Sequence, residues 1–190
     1  DDATSALGRL PSLLGVAAAL AGVAGVYASA RLYLVPARPV WNSRRTPVAF
    51  FATAVSVGPL VALLCLDRTT LRHSWIAVLI GTAAAGTLVQ VAVQTRLGAV
   101  VRRRSDHQHQ GTAQLLDGEL RGLRLARLAA AAMGLGLLAF SLNTPLAGTA
   151  AGGRLAVALV VIAAGELIGR YLFYVSVVPF RPADGFFGNR

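Results

Sequence analysis

The chain has 190 residues, 55% of them hydrophobic and only 14% charged, with a mean hydropathy of +0.62. A soluble domain carries about 25% charged residues, so the composition argues for lipid as the solvent. The net charge of +10 comes entirely from 18 arginines, with no lysine, set against 8 acidic residues. These arginines lie between apolar runs with no aromatic-basic platform beside them, so nucleic acid is not the expected partner.

The chain opens on Asp1-Asp2 with neither a basic n-region nor an initiator Met, so no signal peptide is expected and the start reads as an internal segment of a longer protein. Five apolar runs follow, at about 10–30, 46–66, 73–95, 128–150 and 155–178. Each has the ~20 residues that a helix rising ~1.5 Å per residue needs to cross a ~30 Å hydrocarbon layer. The runs are rich in Ala, Gly, Leu and Val and lack sustained strand alternation. An all-α bundle of about five spans is therefore expected over 1–190 as one transmembrane domain, rather than a barrel.

Between the first two spans, Arg31 to Arg45 carries Pro36 and Pro39, which prevent a regular helix, and Tyr33 and Trp41, whose rings favour the membrane interface. An ordered, partly extended surface segment is expected there. Gly58-Pro59 lies inside the second span and should kink it. Cys65, at the end of that span, is the sole cysteine and reads as a small packing residue. A long polar loop, Arg96 to Arg127, joins the third span to the fourth, with the run Arg102-Arg103-Arg104, then His107 and His109, and a short helix expected near Ala113 to Arg121. Its arginines suit lipid phosphates or a docked partner. Small residues recur four apart at Ala18/Gly22, Gly81/Ala85 and Gly165/Gly169, the spacing that lets helix backbones approach. Only the last pair, beside a charged pair, stands out from an Ala-rich background.

Loops assigned to alternate sides place Arg31, Arg38, Arg44, Arg45, Arg96, Arg102, Arg103, Arg104, Arg121, Arg124, Arg127, Arg181 and Arg190 on one face. Arg9, Arg68, Arg72 and Arg154 fall on the other. The rich face is cytoplasmic by the positive-inside tendency, or else a dock for an acidic partner.

Haem inside a bundle needs His or Met ligands projecting from the spans. His73, His107 and His109 lie at or beyond span ends and Met133 is alone, so neither haem nor another metal site is expected. No phosphate-cradling loop, nucleophilic triad or HExxH motif occurs, and no catalytic residue is assigned.

Two stretches carry a resemblance. Ala30-Arg31-Leu32-Tyr33, Pro39-Val40-Trp41, Thr46-Pro47, Phe50-Phe51-Ala52-Thr53 and Gly58-Pro59-Leu60 resemble the middle of the membrane anchor subunit of dimethyl sulfoxide reductase, in the polysulfide-reductase-like integral membrane superfamily. Ala164-Gly165-Glu166-Leu167-Ile168-Gly169-Arg170-Tyr171-Leu172-Phe173-Tyr174 resembles that family's last transmembrane helix. The resemblance implies a multi-pass subunit in the cytoplasmic (inner) membrane of a prokaryote, holding a molybdopterin catalytic subunit and an iron-sulfur subunit. It implies electron transfer from menaquinol to the iron-sulfur clusters, with molybdopterin and clusters in the partners and no cofactor in this chain. Family members have eight spans, and this chain matches the last five; a His-Leu-Gly motif associated with quinol binding belongs to the part before them. If the arginine-rich face is a dock, the segment that meets the partner contains Arg31, Tyr33, Arg38, Trp41, Arg44 and Arg45.

The last span also speaks for itself. Glu166 and Arg170 sit inside an apolar run, where a lone charge at the bilayer centre costs about 2.5 to 3.5 kcal/mol on insertion scales. They are four apart with Glu first, the favourable order for a helical ion pair. One reading is a structural couple that orients the bundle. The other is a quinol or proton path, in which Glu166 changes charge, Arg170 stays protonated, and Tyr171 and Tyr174 offer hydroxyls nearby. Three functions stay open: an electron-transferring anchor, a purely structural anchor, and a small transporter or proton-channel subunit.

Overall fold

A computed structural model of the chain describes residues 2–36, 38, 40–66, 71–103, 107–145 and 148–175. Six helices run in order: α1 Asp2–Arg31, α2 Arg45–Cys65, α3 His73–Arg103, α4 His107–Asp117, α5 Arg121–Leu142 and α6 Gly148–Val175. All except α4 are long and apolar enough to cross a membrane, and the described residues contain no strand. The chain is an all-helical, multi-pass membrane protein.

Packing is pairwise. α2 lies along α3 and α5 along α6, and the two pairs are joined by α2 against α6 and α3 against α5. α1 rests on α2 alone among the major contacts, and its Leu13, Leu14 and Leu20 face outward, as lipid solvation allows. The half of the bundle nearest the α2–α3 and α5–α6 connections has an apolar core of Leu60, Leu63, Ile76, Ile80, Leu138, Leu155 and Ile162. Toward the other end the core turns polar.

Several helix boundaries differ from the sequence reading. The fourth span begins at Arg121, not near 128, and the fifth begins at Gly148, not near 155. Arginine is a good helix former and its long stem lets the charge reach the interface from a helix end. Three arginines therefore continue α5 instead of forming a loop. The actual break comes at Asn143 to Pro145, where Asn143 N–H closes on the carbonyls of Ala139 and Phe140 and Pro145 has no N–H to give. Arg154 then lies inside α6, its Nη2 donating to the Pro145 carbonyl at 2.7 Å and its guanidinium over Phe140 at 5.7 Å. The expected long loop is largely helical, because α3 runs on to Arg103 and α4 starts at His107 rather than near Ala113. α4 is held by Leu116, which clusters with Leu120 and Leu172.

Where a partly extended segment was expected, the described residues between Leu32 and Arg44 close several backbone turns. Arg38 N–H bonds the Val35 carbonyl, and Trp41 and Asn42 N–H groups bond that of Arg38. Cys65 is exposed at the end of α2, not packed. α2 runs through Gly58-Pro59 as one helix. Of the small-residue pairs, Gly22 and Gly81 meet nothing, whereas a side chain on Gly165 would meet the Ala130 methyl of α5 at 3.2 Å. The closest backbone approach is at a glycine that sequence spacing did not single out: a Cβ on Gly86 would lie 2.6 Å from Ser56 N of α2.

The up-and-down order brings the C-terminal ends of α1, α3 and α6 to the same end as the N-terminal ends of α2 and α5, as the Trp41–Phe173 and Gln90–Glu166 bonds require. Arg31, Arg44, Arg45, Arg121 and Arg124 thus share one end of the bundle. Arg68, Arg104, Arg181 and Arg190 lie outside the described residues.

Candidate functional site

Four helices contribute one polar side chain each to a network inside the bundle. Thr53 comes from α2, Gln90 from α3, Arg127 from α5 and Glu166 from α6. Gln90 is 4% exposed, and the Glu166 and Arg127 side chains are 12% and 15% exposed. Thr53 Oγ1 donates to Glu166 Oε2 at 2.7 Å, and Gln90 Nε2 donates to the same oxygen at 2.8 Å. Gln90 Nε2 is also 2.8 Å from the Ala49 carbonyl and from Thr53 Oγ1, while its Oε1 accepts from Arg127 Nη2 at 3.1 Å. Arg127 Nη2 stands 3.9 Å from Glu166 Oε1, an ion pair between α5 and α6. Each polar group has a partner, as burial in lipid demands.

This geometry corrects the expected pairing along α6. Arg170 does not take the helical i, i+4 position on Glu166. Its guanidinium lies 3.7 Å above the Phe50 ring and its Nη2 donates to Thr53 Oγ1 at 3.2 Å. The Thr53 hydroxyl therefore stands between Arg170 and Glu166. Arg127, counted with the surface arginines from its place beside a polar stretch, is instead the carboxylate's ion-pair partner. Gly169 makes room for it, because a Cβ there would collide with the Arg127 guanidinium. The physical reason is the long α5, which carries Arg127 nearly one turn below Arg124 and almost two below Arg121, and turns it inward.

The network forms the floor of a cavity of about 90 Å³. Its walls are Phe50, Val93, Leu97, Leu116, Leu172 and Phe173; Trp41, Ser43, Arg45 and Arg124 also line it, and Gln94 stands beside Gln90 one turn along α3. Arg124 is held by Asp117 of α4 at 2.6 Å. A second, smaller void of about 10 Å³ lies on the other side of Gln90, Gln94, Arg127 and Glu166, against Thr87, Ile162 and Gly165. Such a space suits one water.

An aromatic cluster stands at the same end. Tyr33 and Tyr174 hydroxyls are 2.7 Å apart, Trp41 stacks on Phe173 at 5.2 Å, and Trp41 Nε1 donates to the Phe173 carbonyl at 2.9 Å. Of the six residues expected to dock a partner, Tyr33 and Trp41 are thus engaged within the chain. Arg38 covers Trp41 at 4.5 Å, Arg45 lines the cavity, and Arg31 and Arg44 are exposed. Of the expected path residues, Glu166 and Arg170 line the cavity and Tyr174 joins the aromatic cluster, but Tyr171 is 53% exposed and lines no part of it. Thr53, Gln90 and Gln94 escaped the sequence reading, although two glutamines inside an apolar run were a signal available to it. Among the described residues no three His, Cys, Asp or Glu side chains converge as a metal site would require.

Fold and site together define a polytopic helical membrane protein with a charged network buried in its core and an arginine-rich end. A family model described as DMSO reductase anchor subunit (DmsC) matches residues 4–175, and the chain belongs to that family. It is 28% identical over 177 residues to the anaerobic dimethyl sulfoxide reductase chain YnfH of Escherichia coli (strain K12). The match covers 88% of this chain and 59% of that relative, so the chain spans well under two thirds of the relative's length. No solved structure matches.

Proposed function

We propose that this chain is the membrane anchor of a molybdopterin oxidoreductase in a prokaryotic cytoplasmic membrane, and that its cavity serves the oxidation of menaquinol. The catalytic and iron-sulfur subunits dock at the arginine-rich end, where Arg31 and Arg44 are free to meet acidic groups. Menaquinol loses two electrons and two protons; the electrons pass to the partner's iron-sulfur clusters, Glu166 accepts one proton, and the other leaves to water at the arginine-rich end that the cavity faces. Arg127 and Gln90 hold the carboxylate in place for that transfer. What carries this reading is one observation: the only acidic side chain of the spans in the described residues sits at the floor of an aromatic-walled cavity that faces the arginine-rich end. A position for proton transfer requires a group within hydrogen-bond reach of its donor, and the cavity supplies that access.

The test uses the assembled complex in its membrane. Glu166→Gln keeps the side chain's shape and should lower quinol-driven electron transfer at least about 100-fold, the low end for losing a general base. Activity fed by an artificial donor to the soluble subunits should stay within about twofold, because that route bypasses the anchor. Near-normal quinol-driven turnover between about pH 6 and 8 would reduce the network to a structural couple, the reading its mutual satisfaction also supports.

A further inference from the structure

The polar floor has one group that the network leaves out. Gln94 lies one turn beyond Gln90 on α3 and borders both the large cavity and the small void. Its Nε2 is buried without a hydrogen-bond partner, whereas the Gln90 amide is bonded at both ends. A buried amide N–H left unpaired costs about 1 to 3 kcal/mol, and in a membrane core there is no bulk water to relieve it. The terminal torsion of a glutamine is soft, so this amide turns toward the cavity at little cost.

We infer that the cavity takes a flat aromatic ring bearing a hydrogen-bond-accepting oxygen, and that Gln94 is the residue that grips this oxygen and so sets the cavity's specificity. The inference rests on the quinol reading above and names how that head group is held. The ring's fit comes from the apolar walls, Phe50, Val93, Leu97, Leu116, Leu172 and Phe173, with Trp41 beside them. The oxygen's fit comes from Gln94. Glu166 cannot donate to that oxygen while ionised, because a carboxylate only accepts hydrogen bonds; its Oε1, which has Arg127 at 3.9 Å, is left to take a hydroxyl proton. Among the described donors that line the cavity, Gln94 is the buried one whose N–H group has no partner, and so the one that a ligand carbonyl or hydroxyl oxygen relieves. A site built to donate to an oxygen discriminates strongly against an analogue that lacks it, since its own donor is then stranded.

The two tryptophans make the test direct. Trp41 borders the cavity, whereas Trp75 stands at the start of α3, at the opposite end and 60% exposed. In a Trp75→Phe background in lipid nanodiscs, quenching of Trp41 fluorescence by 2-methyl-1,4-naphthoquinone reports binding, and 2-methylnaphthalene, the same ring system without oxygens, reports by displacement. Gln94→Leu should weaken the quinone about tenfold while leaving 2-methylnaphthalene within about twofold. Equal affinity of the quinone for the parent and Gln94→Leu overturns the inference and leaves the quinol reading standing. A parallel loss for both probes also overturns it, because the side chain then only shapes the cavity. If the parent protein shows no quenching by the quinone, the quinol reading itself falls, and the assignment of Gln94 with it.

Discussion

At the residue scale, Glu166 meets its cation across a helix interface because three local facts coincide. Gly169 has no side chain to block the approach of Arg127, Phe50 offers Arg170 an aromatic face, and Gln90 bonds both Arg127 and Glu166. Removing one partner of a buried ion pair costs about 3 to 5 kcal/mol, since the other charge is left uncompensated. Arg127→Met should therefore destabilise the protein by about that amount, and adding Glu166→Gln should recover more than half of the loss. Unfolding in mixed micelles, read by circular dichroism, measures both. Strict additivity of the two substitutions would show that the charges are not coupled. Glu166 and Arg170 were legible in the sequence because a charge inside an apolar run costs energy and so draws notice. Arg127 was not, since its neighbours Arg121 and Arg124 make it look like one more surface charge.

At the scale of elements, the spans were legible and their ends were not. Hydropathy locates about twenty apolar residues but not the caps, and an arginine near a helix end can belong to the helix when its stem reaches the interface. α5 and α6 each start about seven residues earlier than their apolar cores suggest for this reason. Helix contacts were legible only in part. Gly86 is where α3 meets the α2 backbone, and backbone cannot yield as a flexible side chain can. Gly86→Ala should lower the thermal unfolding midpoint, at a cost of about 1 to 3 kcal/mol. Gly81→Ala, with open space around it, should be neutral or stabilising by up to about 1 kcal/mol through helix propensity. Equal effects at the two glycines would refute the close approach of α2 and α3.

At the scale of the whole molecule, alternating helices gather Arg31, Arg44, Arg45, Arg121 and Arg124 at one end and leave Cys65, Trp75, Arg72 and Arg154 at the other. An impermeant maleimide applied from one side of right-side-out vesicles should label Arg44→Cys and Arg121→Cys together, each made in a Cys65→Ser background, and native Cys65 only from the opposite side. Labelling of Arg44→Cys and Cys65 from the same side would overturn the five-span topology. Binding of the partner subunits should protect Arg44→Cys, since that exposed position lies on the proposed docking end.

The sequence by itself determined the solvent, the number of spans and the presence of an ionisable pair in the last one, because each follows from transfer free energies summed along the chain. Only the tertiary structure decided which charges meet. Thr53, Gln90, Arg127 and Glu166 come from four helices, and their distances depend on how those helices pack at Gly86, Gly165 and Gly169. Local spacing favoured Arg170 as the partner of Glu166; burial selected Arg127, because a carboxylate in a low-dielectric core is held by the donors that packing brings to it.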